Sequence, residues 1–252
     1  VVKIHAITNT RKLRHHCRLN HQDEKLFQKK NLKNMEEFIE LIKTGRNDQL
    51  EQKLIENPSL ADRKTDQGIS LLQFAAYCRN NFAVDILKQH KMEINIFEAV
   101  SIGDHDTVNQ LLDENPELLN SFSSDGFTVL GLASYFGHLS LVKLLLDKDA
   151  NPTIASNNQF KVAPIHSACA ISHFDIVKLL IDHGADVNAR QMQGVTPLHS
   201  AAHNGQTKLA ELLIDNGADI NAKMDSGQTP LFMANEKNFQ ETAELIIRHG
   251  GQ

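Results

Sequence analysis

Tryptophan is absent from this 252-residue chain and tyrosine occurs twice; with 12 phenylalanines, aromatics reach only 6%. A core must therefore come from Ala, Leu, Ile and Val, which favours thin helical layers over a β-sandwich. Cysteine is scarce as well. Cys17, Cys78 and Cys169 are an odd number without a CxxC pair, which excludes a disulfide scaffold and points to a reducing, intracellular setting. No apolar run approaches the roughly 18 residues that span a bilayer, and the start Val1-Val2-Lys3 lacks the apolar stretch of a signal peptide. A cytoplasmic, monomeric protein without a transmembrane segment is the expectation.

Charge divides the chain. Residues 1–34 hold 9 Lys/Arg and 2 Asp/Glu, leaving 17 basic and 29 acidic residues after them, so the overall −5 averages a tail of +7 and a body of −12. The tail is expected to be disordered or to precede a native start at Met35. There Asn34 reads as a helix cap and Glu37 as its third helical residue.

Beyond residue 34 the sequence repeats. GVTPLHSAAHNGQTKLAELLIDNGADINA from Gly194 is answered 33 residues later by GQTPLFMANEKNFQETAELIIRHGG from Gly227. With the Thr of TPL as reference, equivalent positions fall at Glu36, Ser70, Ile94, Thr128, Ala163, Thr196 and Thr229, making seven copies spaced 34, 24, 34, 35, 33 and 33 residues apart. Glycine tests the register because backbone need places it. Eleven of the 13 glycines occupy three periodic positions, two before, nine after and twenty-one after the reference. Five of the 6 prolines occupy two more. Thr196 and Thr229 suit a helix N-cap, with Pro197 and Pro230 at the first helical position, where a missing N–H costs nothing. The glycine nine residues on ends this short helix. A second apolar run follows, such as Ile176, Val177, Leu179, Leu180 and Ile181, and closes at Gly184. A polar loop then leads to the next copy.

This unit resembles the ankyrin repeat, whose marks are the TPLH-type start, the Gly-His turn and the GADVNA-type loop. The likeness is strongest over residues 160–252. Copies one and three lack TPL but share the endings Glu56-Asn57-Pro58 and Glu114-Asn115-Pro116. The resemblance implies an all-α solenoid of helix–turn–helix units near 35–67, 68–92, 93–125, 126–160, 161–193, 194–226 and 227–252, with β-hairpin fingers projecting from a shared core. Two departures stand out. The 24-residue step from Ser70 to Ile94 leaves no residues for a finger, which predicts a gap in the finger row. Asn157-Asn158-Gln159-Phe160 expands another finger by two residues, predicting a longer or bulged one.

No constellation for catalysis emerges: phosphate-cradling glycine motifs, a GxSxG elbow and an HExxH pair are all missing. Thirteen histidines are many, yet His166 with His199, His138 with His173, and His90 with His183 and His249 share repeat positions, which marks them as scaffold. The non-periodic His15, His16, Cys17 and His21 match no zinc spacing. Asn188 and Asn221 read as turn formers. The chain is thus read as a non-enzyme with no cofactor, metal or small-molecule substrate. Basic residues in the tail offer two alternatives, nucleic acid or an acidic membrane surface, and a regulatory or inhibitory role on a partner enzyme is a third.

The resemblance also implies where a protein partner binds: on the concave face, through positions before the reference and seven or eight after it. Tyr77 and Tyr135, the two tyrosines, both fall seven after, in copies two and four. Phe136 and Ile171 fall eight after, Phe127 and Val162 one before, and Phe160 three before. An aromatic anchor region over copies four and five is the reading, with a polar rim in copies six and seven at Arg190, Met192, Gln193, His203 and Asn204, then Lys223, Asp225, Gln228, Glu236 and Lys237.

Overall fold

The computed structural model describes residues 35–252, so the basic tail, its His15, His16, Cys17 and His21 and the expected Asn34 cap lie outside the described residues. Among the described residues fourteen α-helices follow one another in seven antiparallel pairs. The first four pairs are α1 (35–44) with α2 (Asn47–Glu56), α3 (Leu71–Tyr77) with α4 (Asn81–His90), α5 (Ile96–Ile102) with α6 (His105–Glu114), and α7 (Val129–Phe136) with α8 (Leu139–Asp147). The last three are α9 (Pro164–Ala170) with α10 (Phe174–Asp182), α11 (Pro197–His203) with α12 (Thr207–Asp215), and α13 (Pro230–Glu236) with α14 (Gln240–Arg248). No strand occurs among the described residues.

Helices this short do not persist alone in water. Side-chain caps and shared burial hold them. Ser70, Thr128, Thr196 and Thr229 each accept a hydrogen bond from the backbone N–H three residues on. Within the first helix of copies two to seven, one position is always alanine: Ala75, Ala99, Ala133, Ala168, Ala201 and Ala234 are each 0% exposed. A methyl group there lets neighbouring first helices pack side by side, α3 on α5, α5 on α7, α7 on α9, α9 on α11 and α11 on α13. Second helices add Leu54, Leu87, Leu112, Leu145, Leu180 and Leu213 from behind, all buried. Removing one such side chain from water is worth about 1.5–3 kcal/mol.

All eleven periodic glycines adopt positive φ, whereas Gly131 and Gly251, which stand outside the pattern, do not. Arg79, Ser172 and Asn238 replace glycine at the nine-after position and keep the same left-handed backbone, at φ 54°, 63° and 60°. The fold therefore dictates the conformation there, whatever the residue.

The fingers are tight turns, each closed by a backbone bond such as Ser123 N–H to Phe127 O at 2.9 Å or Met224 N–H to Gln228 O at 2.9 Å. Neighbouring fingers also bond to one another: Asn157 N–H donates to Gly126 O, Met192 N–H to Phe160 O and Asp225 N–H to Gln193 O, at 2.8–2.9 Å. The expanded finger is bulged, with Ser156 and Asn158 side chains folded back onto its own backbone at Val162 and Phe160 and Lys161 at φ 55°.

Copy three departs from the register at its cap and corrects one expectation. Its helix is capped by Asn95 rather than Ile94, because Asn95 Oδ1 accepts from Phe97 and Glu98 while Glu98 Oε2 accepts from Asn95 N–H. The finger is indeed missing, since residues 91–95 join α4 directly to α5, but the row does not open. The two flanking fingers close over the space, and Ser124 Oγ donates to Gly68 O at 2.9 Å. With no intervening loop to hold them apart, the Ser124 hydroxyl of one finger reaches the backbone carbonyl of the other. In the connector that replaces the finger, the Lys91 side chain is almost fully buried, its ammonium 3.0 Å from Glu98 Oε1 and 3.2 Å from Asp62 Oδ1.

Candidate partner-binding site

Closing the finger row brings together side chains that an even stack would hold far apart. Tyr77 on α3 and Tyr135 on α7 belong to copies two and four, yet their ring centroids lie 5.8 Å apart. Phe136 completes the triangle, 5.1 Å from Tyr77 and 5.2 Å from Tyr135 in an edge-on contact. The equivalent positions in copy three fall at Ser101 and Ile102, and short Ser101, buried and bonded back to Phe97 O, leaves room for the tyrosines to meet. Such tilted ring pairs add about 0.5–1.5 kcal/mol each beyond the area they bury.

On one side of this aromatic wall lies a cavity of about 680 Å³. Tyr77, Tyr135, Phe127, Phe160, Ile69 and Leu132 supply its apolar lining, and Asp125, Ser124, Gln67, Asn158 and Gln159 its polar edge. Tyr77 O–H donates to Asp125 Oδ2 at 2.8 Å, and Ser123 Oγ–H donates to Asp125 Oδ1. Burial first, then the adjacent Asp125 carboxylate, push the Tyr77 phenol far above its ordinary range, so it stays a neutral donor. Asn158 Nδ2 donates to Asp125 O at 2.8 Å, which fixes the bulged finger against its neighbour. On the other side of the wall a cleft of about 370 Å³ carries Arg79, His138 and His173. Burial, reinforced by the charges of Arg79 and His138, lowers the His173 pKa.

The family description "Ankyrin repeats (3 copies)" matches residues 96–191, and "Ankyrin repeats (many copies)" matches residues 180–234. This chain is an ankyrin-repeat protein. It is 34% identical over 114 residues to Ankyrin repeat and SAM domain-containing protein 6 of Mus musculus, covering 43% of this chain and 12% of that protein. It is 33% identical over 103 residues to Ankyrin repeat and KH domain-containing protein mask of Drosophila melanogaster, covering 40% and 2%. With Putative ankyrin repeat protein FPV014 of Fowlpox virus it shares 29% over 170 residues, 63% of this chain and 38% of that one. The chain therefore spans well under half the length of these curated relatives. Ankyrin repeats are generally protein–protein interaction modules.

Within this ankyrin-repeat stack, Tyr77, Phe127, Tyr135 and Phe160 meet at the cavity, while Phe136 backs its wall. Tyr135 is 37% and Phe160 43% exposed. Phe127 and Phe136, half-buried, also pack on the main core. Val162 and Ile171 are half-buried outside the cavity. Arg190, Met192, His203 and Asn204 are exposed and do not line it. Arg190 is engaged between fingers, Nη2 donating to Lys223 O at 3.0 Å and lying 3.5 Å from Asp225 Oδ1, so its guanidinium staples the stack. Asp125, Gln67 and Ile69 complete the cavity without having been expected, because they reach it only through the closure of the finger row.

The periodic histidines are scaffold. With its proton on Nε2, His199 donates to Gln228 O at 3.1 Å, and its Nδ1 accepts from Thr196 Oγ1 at 2.8 Å. His166 faces Ala163 and so lacks the hydroxyl partner, but Nε2 donates between Ala189 O at 3.0 Å and Val195 O at 3.2 Å. Burial pushes the His166 pKa down to about 4. Burial raises the Cys169 thiol well above its usual range and Cys78 as well, so neither is held as a thiolate nucleophile. Among the described residues no cluster of three His, Cys, Asp or Glu could hold a metal, and no helix is long and apolar enough to cross a membrane.

Proposed function

We propose that this chain is a non-enzymatic ankyrin module that captures a protein partner by seating one of its side chains in the cavity between the fingers of copies two, four and five. One observation carries the reading: half-exposed aromatic rings converge on a half-open, mostly apolar hollow of about 680 Å³. Monomers seldom leave such clusters open without use, and aromatic anchors dominate binding energy where they occur. Exposed Met192, His203 and Asn204, farther along the stack, serve as a polar rim.

Affinity capture with the wild-type chain and with Tyr135→Ala combined with Phe160→Ala tests this. Both side chains are more than a third exposed, so the double variant should melt close to the wild type yet lose its captured partner. Undiminished capture by a folded double variant would remove the cavity from the interface; collapse of its melting transition would assign the cluster to the core.

A further inference from the structure

The charge distribution around the aromatic wall specifies which side chain the cavity takes. Asp125 is the only charged residue among the eleven that line it. Its donors, Tyr77 and Ser123, are hydroxyls, one on each carboxylate oxygen, so the negative charge is hydrogen-bonded but not neutralised. Each oxygen retains a further lone-pair site. Around this carboxylate stand Tyr77, Tyr135, Phe127 and Phe160, whose ring faces attract cations. A site that is apolar along its walls and anionic at one point matches a long side chain with an aliphatic stem and a cationic head. The cleft across the wall is lined by the cation of Arg79 and by no carboxylate, so it offers the same group no anionic partner.

We infer that the cavity recognises an arginine or lysine side chain of the partner, its stem against the tyrosine and phenylalanine rings and its charged head on Asp125. This rests on the cavity being the docking site proposed above. Net charge agrees: the body after residue 34, at −12, favours approach of a basic segment.

Because the chain contains only two tyrosines and both stand in the wall between the cavity and the cleft, tyrosine-selective isotope labelling of the full chain gives an NMR report on that wall, and the Asp125 variant assigns the shift to the cavity side. The probes are n-butylguanidinium, which reproduces an arginine side chain, and n-butylurea, its neutral isostere. The cation should shift both tyrosine ring signals and bind at least about tenfold more tightly than the urea, as charge-assisted bonds and ring–cation attraction together require. Asp125→Asn should abolish that preference. Equal binding of the two probes overturns the cationic assignment and leaves the docking cavity standing. Absence of any shift with either probe overturns both. A preference that survives in Asp125→Asn also overturns the assignment, and if that variant fails to fold the wild-type ratio of the two affinities decides.

Discussion

Gly137 offers a measurable separation of backbone strain from steric conflict. It caps α7 at φ 78°, and a methyl group built on it would lie 2.1 Å from Nε2 and 2.2 Å from Cε1 of His173, at the cap of α10. Gly184 has a comparable φ of 88° with nothing within 4 Å of the same methyl position. An L-residue in this left-handed region costs about 1–2 kcal/mol, so Gly184→Ala should lose about that much. Gly137→Ala carries the same strain and must also displace the His173 ring, an overpacking penalty of about 1–3 kcal/mol. Its expected loss is therefore about 2–5 kcal/mol. Urea unfolding followed by circular dichroism, with hydrogen exchange at α7 and α8 to catch local opening, measures both variants. Adding His173→Ala to Gly137→Ala should recover the steric part and leave the strain, giving a coupling of about 1–3 kcal/mol in a double-mutant cycle. Equal losses at Gly137 and Gly184, or a coupling near zero, would refute the reasoning.

Lys91→Met should cost about 3–5 kcal/mol in denaturant unfolding, since it strands buried Glu98 without its cation. Adding Glu98→Gln, which removes the charge and keeps an oxygen for Asn95 N–H, should restore most of the loss, and no restoration would show that the triad is not the cause. Acid should destabilise the fold through His166, whose pKa of about 4 lies below the ordinary 6.5 of an unfolded chain. The unfolded state then takes up its proton first: the contribution is whole above about pH 6.5, declines as pH falls toward 4, and levels off below. The total loss is about 3 kcal/mol. Urea midpoints from pH 7.5 to 4 should fall less steeply in His166→Gln, and identical slopes would exclude His166 as the source.

The repeat, its helix starts and its turn positions were legible because each needs a particular residue. Glycine marks a left-handed backbone, and Thr-Pro marks a helix start. The same logic explains what was not legible. Arg79, Ser172 and Asn238 hold left-handed positions without looking the part, because neighbouring repeats fix the backbone there. Asn95 caps α5 one residue beyond the periodic position, since a side-chain oxygen outweighs the count. The pairing of Tyr77 with Tyr135 could be read only as a shared position in separate copies. Their contact depends on how the stack responds to a deleted finger, and spacing alone predicted an opening where hydrogen bonding produced a closure. Asp125 escaped notice for the same reason.

The deleted finger also coincides with a seam in the hydrophobic interior. Buried residues from Phe38 to Leu87 form one cluster and those from Ile96 on form the main one, with Ile94 touching both and a small third cluster of Ala202, Ala234, Ala243 and Ile246 at the far end. In a linear array cooperativity passes through neighbour contacts, here those of α3 on α5, so the first two copies are expected to open as a block of their own. Tyr77 belongs to that block by sequence but packs on the cluster beyond the seam. Whatever fills the cavity beside it spans the seam and fastens the blocks together. Occupancy should therefore be felt as slower amide exchange in α3 and α4, and unchanged exchange there on ligand saturation would show that the blocks are already one.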